Sequence, residues 1–166
     1  MEFSKLVSTL AFYAGLPVER RKEGHPLPIQ TGALPWRITS DKRAEVLLVT
    51  GRRSGRWIIP KGWPIPGKSL AKAAEREAYE EAGVEGTVEE EPLGSFNHVK
   101  THPLIGSVEV SILVHSMAVK RELPRWPERG ERERRWFKLK EAAESVESPE
   151  LRDMILELRR RFGSKS

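Results

Sequence analysis

Cysteine is absent from the 166 residues. That excludes a disulfide framework, a Cys-ligated zinc or iron–sulfur site and a thiol nucleophile; it suits a reducing compartment, and a cytoplasmic protein is expected. Nor does any run approach the roughly 20 apolar residues needed to span a bilayer, so no membrane association is expected. The segment Leu6 to Gly15 comes nearest to a secretory leader, but Glu2 offsets Lys5, Ser8 and Thr9 interrupt it, and no small-x-small cleavage site follows. A short helix or tail packing on the domain is expected there. Internal repeats, low-complexity tracts and a coherent Ser–His–acid set are also lacking. What remains, 38% hydrophobic and 32% charged residues, is enough for one packed domain of ordinary size.

Charge is not short, but it is unevenly placed. The net +5 separates into opposed blocks. Residues 41–68 carry seven basic and two acidic side chains, residues 69–91 two basic and eight acidic, and residues 120–140 nine basic and four acidic. A generic nucleic-acid coating needs no concentrated acidic block between its basic ones. The pattern suits a site that joins a polyanion to metal ions.

Pro17 to Pro28, with three prolines and the unbroken charged run Glu19 to Glu23, reads as a linker. Residues 1–28 are therefore an N-terminal segment and linker, and 29–166 the domain proper. Expected strands are Ile29–Ile38, with Pro35 indicating an edge or bulge, and Ala44–Thr50, buried on both faces. Arg56–Ile59 returns from the turn Gly51–Gly55. Lys61–Lys68 is a loop. Ser69 caps a helix that runs to Ala82 and stops at Gly83, packing through Leu70, Ala74 and Ala78. Further strands are expected at Gly86–Glu91, Leu93–Val99, Val108–Val119 and Trp136–Leu139, and Leu151–Phe162 is an amphipathic closing helix. Mostly strands with a central and a terminal helix point to an α+β fold or an α/β sandwich.

The chemistry concentrates in the central helix. Glu77 and Glu81 lie one turn apart, and Glu80 about 60° to one side, so three carboxylates share about a third of the helix surface. Like charges at this spacing repel, and the C-terminal half of a helix disfavours anions. Arg76 can pair with Glu80 but does not neutralise three glutamates. A solvated acidic face is the plain alternative; bound Mg²⁺ or Mn²⁺ would remove the penalty, since both take hard oxygen ligands and share them with phosphates. The Pro/Gly-constrained loop brings Gly62 near the helix and frees its carbonyl for a ligand.

Gly62, Arg76-Glu77-Ala78, Glu80-Glu81 and Gly83-Val84 together resemble the Nudix box, Gly-x5-Glu-x7-Arg-Glu-U-x-Glu-Glu-x-Gly-U with U aliphatic. Lys68 stands where the pattern has its first Glu. The resemblance implies an α/β/α sandwich with a mixed sheet, and hydrolysis of a nucleoside diphosphate linked to another group or of a related pyrophosphate. It also implies that Glu77, Glu80, Glu81 and the Gly62 carbonyl hold the metal, with Arg76 orienting a glutamate. Lys68 places positive charge at the mouth of the site, where it would pair with a glutamate or meet a phosphate, unless it is simply an exposed turn residue.

The segments Gly32–Arg37 and Trp57–Trp63 are similar to the Nudix branch acting on diphosphoinositol polyphosphates and dinucleoside polyphosphates. In that branch Arg37 and Lys61 would contact phosphates. Dense substrate charge calls for several cations, and Arg52, Arg53, Arg56, Lys68 and Lys100 are candidates beside them; His98 and His102 flank Lys100. A general base is expected from Glu81 or Glu77 ahead of Glu131, the latter lying in a loop that also carries Glu128 and Glu133. RNA bearing a 5′-pyrophosphate is a second substrate reading, favoured by the arginines of 120–140. A Nudix-fold module that binds a phosphorylated ligand or nucleic acid without turnover is a third.

Overall fold

The computed structural model describes residues 18–20, 26–104 and 106–162. The expected N-terminal helix or tail, and part of the linker, lie outside the described residues. Both ends of the linker are strand: β1 (Val18–Arg20) pairs antiparallel with the start of β2 (Pro26–Ile38).

β2 is the axis of a mixed sheet. It runs parallel to β7 (Gly106–Glu122), from Ile29 opposite Ser111 to Trp36 opposite Ala118, and pairs antiparallel with β3 (Ala44–Thr50) at its C-terminal end. β3 also pairs with β4 (Trp57–Ile58) and β8 (Arg134–Lys138); β5 (Lys61–Gly62) lies on β2, and β6 (Val84–His102) on β7. Pro35 is therefore interior, against expectation. The Ala33 amide donates to the Pro60 carbonyl at 3.0 Å. Strand alternation points the Pro35 nitrogen to the same side, between the stretch of β2 that pairs with β5 and the stretch that pairs with β3. No ladder bond is lost there, which is the condition for a sheet proline.

The four-residue apolar run of β3 serves both faces. Leu47 and Val49 pack with Ala33, Met117 and the alanines of α1 (Leu70–Ala82). Val46 and Leu48 pack on the other face with α2 (Leu139–Ser145) and α3 (Pro149–Phe162), through Leu139, Leu151, Ile155 and Leu158. Each buried Leu or Ile contributes about 1.5–3 kcal/mol relative to exposure. On the α1 side small residues replace large ones, so Ala74, Ala78 and Ala82, all fully buried, let the helix lie close to the sheet. The expected α/β/α sandwich with a mixed sheet is what forms.

Three details depart from the sequence reading. The strands expected at 86–91 and 93–99 are one long strand, β6, whose pairing with β7 shifts register at Glu85/Gly86 and on either side of Pro92; the extra residues bulge out where Glu89–Glu91 and Pro92 break the alternation. Lys61 and Gly62, expected in a loop, form a two-residue strand. Leu139 ends no strand but begins α2, a short helix too brief for its periodicity to register. No helix among the described residues is long and apolar enough to cross a membrane.

Candidate active site

The glutamates are placed by a helix fixed at both ends. Ser69 Oγ accepts from the Lys72 amide at 3.2 Å. At the other end Gly83 adopts φ 61°, ψ 40° and its amide donates to Tyr79 O at 3.0 Å, closing the helix in a left-handed cap. The last carbonyls are taken by Arg134, whose Nη1 donates to Ala82 O at 2.9 Å and Gly83 O at 3.0 Å. Its guanidinium carbon lies 3.8 Å from the Trp126 ring centre.

Inward from that end, the Glu77 carboxylate occupies the space over Gly62: a Cβ on Gly62 would lie 2.1 Å from Glu77 Oε1. Glycine is needed at this point of β5 because a carboxylate fills the place of its side chain. Glu81, 6% exposed, accepts from Arg132 Nη2 at 3.0 Å through Oε1 and from the Lys61 amide at 3.3 Å through Oε2. Glu80 is turned to Arg76 Nε at 2.7 Å, the pairing expected, and its carbonyl accepts from the Glu128 amide at 3.0 Å. That bond brings the 127–131 turn to the helix.

The electrostatics follow from crowding and burial. Burial pushes the Glu81 carboxyl up to about 7, with Arg132 and Lys61 pulling down and Glu77 and Glu128 pushing up. Burial also raises Glu77, helped by the charges of Glu80 and Glu128. Burial brings the Lys61 ammonium down to about 8, and the charge of Lys100 adds to that. Burial likewise lowers Lys100, while Glu81 and Glu77 oppose it. Three carboxylates (Glu77, Glu81, Glu128) and the cations Lys61, Lys100 and Arg132 thus share one poorly solvated field.

These donors fit a hard divalent ion. Every candidate ligand is an oxygen, the set that Mg²⁺ and Mn²⁺ take, and burial disfavours the ionised form of both Glu77 and Glu81, so a cation beside them supplies the missing countercharge. Among the described residues no three carboxylates or imidazoles already stand together as a ligand cluster; Glu80 faces Arg76, and Glu81 is held in one direction by Arg132.

The other candidates divide. Lys61 and Lys100 are at the site, Lys100 lying 5.3 Å from the ring centre of Trp63. Arg52 reaches its edge, 3.5 Å from Glu128 and 3.4 Å from Glu131. Glu131 is half-exposed and engaged there, so the carboxylate that this loop directs toward Glu77 and Glu81 is Glu128. Arg53 is exposed on the β3–β4 turn, and Arg56 pairs with Glu147 at 2.8 Å. His98 is half-buried, and the side chain of His102 lies outside the described residues.

Arg37 and Lys68 are elsewhere. Arg37 is five residues beyond Gly32, the partner of Lys61, or about 17 Å along the strand. It pairs with Glu45 at 2.7 Å and Glu122 at 3.2 Å and stacks on Trp136. Lys68 lines a surface cavity of about 540 Å³ with Lys72, Arg76 and Tyr79; Lys72 sits about 180° around the helix from Glu81. The sequence reading missed Arg132, Arg134 and Trp126. Arg132 and Arg134 sit in a run of alternating charge that carries no mark of which members turn inward.

A family model described as the NUDIX domain matches residues 30–158. Among curated proteins, Nudix hydrolase 13, mitochondrial, of Arabidopsis thaliana is 32% identical over 133 residues, 69% of this chain and 64% of that protein. Diphosphoinositol polyphosphate phosphohydrolase 3-beta of Homo sapiens is 36% identical over 108 residues, 62% of this chain and 60% of that protein. The chain thus spans less than two thirds of either relative's length. Among solved structures, a C. elegans Ap4A hydrolase binary complex superposes with a TM-score of 0.59 at 19% identity, covering 80% of this chain and 96% of that one; at that identity the likeness is one of fold.

Proposed function

The chain belongs to the NUDIX family, and on that premise we propose that it is a divalent-metal-dependent pyrophosphohydrolase of a highly phosphorylated small molecule, a diphosphoinositol polyphosphate or a dinucleoside polyphosphate. The observation that carries this reading is the Glu77 carboxylate seated over Gly62 and the buried Glu81 carboxylate bonded to the Lys61 amide, with Lys61 and Lys100 near enough for their charges to act on both. Glu77, Glu80, Glu81 and the Gly62 carbonyl would hold Mg²⁺ or Mn²⁺. A bound metal ion offsets charge on the transferred phosphoryl and lowers the pKa of an attacking water.

The chain's own groups do the rest. Lys61 and Lys100 receive the phosphates next to the bond that breaks, and Arg52 meets those further out. Trp63, 42% exposed, walls the entrance beside Lys100. A proton acceptor comes from Glu77 or Glu81 on the helix, or from Glu128 on the facing turn, which takes the place expected for Glu131. The catalytic unit is residues 29–166.

Four of the six arginines that favoured RNA are otherwise engaged: Arg121 pairs with Glu85, Arg132 with Glu81 and Arg135 with Glu141, and Arg134 caps α1. That supports the small-molecule reading over a 5′-pyrophosphate on RNA. The test is product formation with Mg²⁺ or Mn²⁺, resolved by anion-exchange chromatography, across diphosphoinositol phosphates, dinucleoside polyphosphates, nucleotide sugars and triphosphorylated RNA. Turnover of the first two classes is expected, falling about 10²–10⁴-fold in Glu77→Gln or Glu81→Gln. Tight binding without turnover of any substrate would leave a binding module instead.

A further inference from the structure

Three elements converge on Arg132. Its Nη2 donates to Glu81 Oε1 and its Nη1 to the Thr50 carbonyl, each at 3.0 Å. Its Nε is buried without a hydrogen-bond partner and lies 3.6 Å from Glu128 Oε2. The side chain is only 10% exposed. The backbone around it is tied at the same point: the Arg132 amide donates to Glu128 O at 3.2 Å, Thr50 N to Glu133 O at 3.0 Å, and Glu133 N to Thr50 Oγ1 at 2.9 Å. One guanidinium therefore joins the C-terminal half of α1, the end of β3 and the 127–131 turn. Its planar fork can address three acceptors in fixed directions, which a lysine's point charge cannot.

Glu81 has both oxygens engaged by this chain, one by Arg132 and one by the Lys61 amide, whereas among the described residues Glu77 is placed by packing over Gly62. Arg132 therefore sets the direction in which the free lone pairs of Glu81 point. With both terminal nitrogens turned to protein acceptors and only 10% of the side chain exposed, it offers little surface to a phosphate. The buried Nε, 3.6 Å from Glu128 Oε2, extends the same control to the turn.

We propose that Arg132 is a positioning residue for the carboxylate site: it orients Glu81 and holds the 127–131 turn so that Glu128 faces Glu77 and Glu81. Metal affinity and turnover then depend on a side chain that touches neither metal nor substrate. The inference rests on the hydrolase reading for its kinetic part alone.

The test uses the full chain as wild type, Arg132→Met, Arg132→Lys, Glu128→Gln and the double variant Arg132→Met/Glu128→Gln. Mn²⁺ binding is measured by the electron paramagnetic resonance of free Mn²⁺, beside kcat, KM and thermal melting. The dissociation constant for Mn²⁺ is expected to rise about 10–100-fold in Arg132→Met, the range for losing a partner that orients a metal ligand. Arg132→Lys should fall between it and wild type. The kcat should drop in parallel with KM nearly unchanged. Glu128→Gln should lower kcat in the wild-type background and add little on top of Arg132→Met.

A folded Arg132→Met with wild-type Mn²⁺ affinity overturns the proposal. So does a rise in KM with kcat and Mn²⁺ affinity intact, which would make Arg132 a substrate contact. If Arg132→Met melts below the assay temperature, Arg132→Lys decides: wild-type Mn²⁺ affinity and kcat there refute the role. A wild-type protein that binds Mn²⁺ but hydrolyses nothing refutes the hydrolase reading and leaves the Mn²⁺ comparison to judge Arg132. Wild type that binds no Mn²⁺ sinks both.

Discussion

At the scale of single residues, Gly62 and His98 show how packing becomes chemistry. A Cβ at Gly62 would meet the carboxylate of Glu77, the free end of a side chain, and not backbone. Gly62→Ala should therefore keep the fold and move the carboxylate. We expect a melting temperature within about 4 °C of wild type, a cost below roughly 1 kcal/mol, and kcat/KM lower by about 10²-fold, as for a displacement of about 1 Å at a reacting centre. Equal activity in a purified, folded Gly62→Ala protein would show that Glu77 is not needed where it stands. His98 is held down to about 4, first by burial and then by the charges of Lys61 and Lys100, with Glu147 opposing. Its ordinary value is about 6.5. Above that pH both folded and unfolded chains carry it neutral and it costs nothing. As pH falls from 6.5 toward 4 the unfolded chain takes up a proton that the folded one does not, so stability declines through that window. Urea midpoints at pH 7 and pH 5 should differ more for wild type than for His98→Gln. An imidazole resonance of His98 titrating near 6.5 would contradict the burial described.

At the scale of elements, the C-terminal end of α1 is the joint on which the site depends. Gly83 is needed twice, for its left-handed φ of 61° and because a Cβ would lie 2.5 Å from Trp126 Cδ2 and 2.7 Å from Arg134 Nη1. Gly67 has φ 73° with nothing within 4 Å, so it isolates the conformational part. Gly67→Ala should cost about 1–2 kcal/mol. Gly83→Ala should cost about 1–3 kcal/mol more, because a packed indole ring cannot yield as a carboxylate can. Chemical denaturation of the two variants measures the difference, and equal losses would show that the Trp126 contact yields easily. Much of this element was legible in sequence: Ser69, the alanine spacing, the glutamates at 77, 80 and 81 and the stop at Gly83 all follow local rules. What closes over it was not. Arg132 and Arg134 lie in Arg129-Gly130-Glu131-Arg132-Glu133-Arg134-Arg135, where neighbouring charges look alike. Burial of the two inward arginines is decided by contacts with Thr50, Glu81 and Ala82, which are 51 or more positions away. The same holds for Lys68, whose sequence position suggested the site but whose cavity opens on the opposite side of the helix, and for Arg37, which its own strand carries out of reach.

At the scale of the whole molecule, the opposed charge blocks of the chain close on one another. Glu81 and Glu85 of the acidic block meet Arg132 and Arg121 of the second basic one, Glu75 and Glu80 meet Lys72 and Arg76 within the helix, and Glu89 meets Arg161. The net +5 therefore overstates the charge available to a ligand. Cations count for substrate only where they stand by Glu77 and Glu81 and are not already taken by protein acceptors; Arg132 meets the first condition but is bonded to Glu81 and Thr50, so Lys61 and Lys100 outrank the arginines of 120–140. Exposed ion pairs such as Arg121–Glu85 and Arg135–Glu141 contribute about 0–1 kcal/mol and face away from the carboxylates. Arg121→Gln and Arg135→Gln should leave KM for a dinucleoside polyphosphate within about twofold of wild type, even though each removes as much net charge as a substitution in the site. Lys61→Met and Lys100→Met should each raise KM by about tenfold or more, since a charge-assisted contact to phosphate in a poorly solvated field contributes about 1.5–3 kcal/mol. Raising the salt concentration separates local from global charge. Screening over a Debye length of about 8 Å at physiological strength weakens distant charges first. If the two lysines act at contact, their variants should keep a large KM defect in high salt. If the overall field governs binding, the defect should shrink, and Arg121→Gln and Arg135→Gln should raise KM as much as the lysine variants do in low salt.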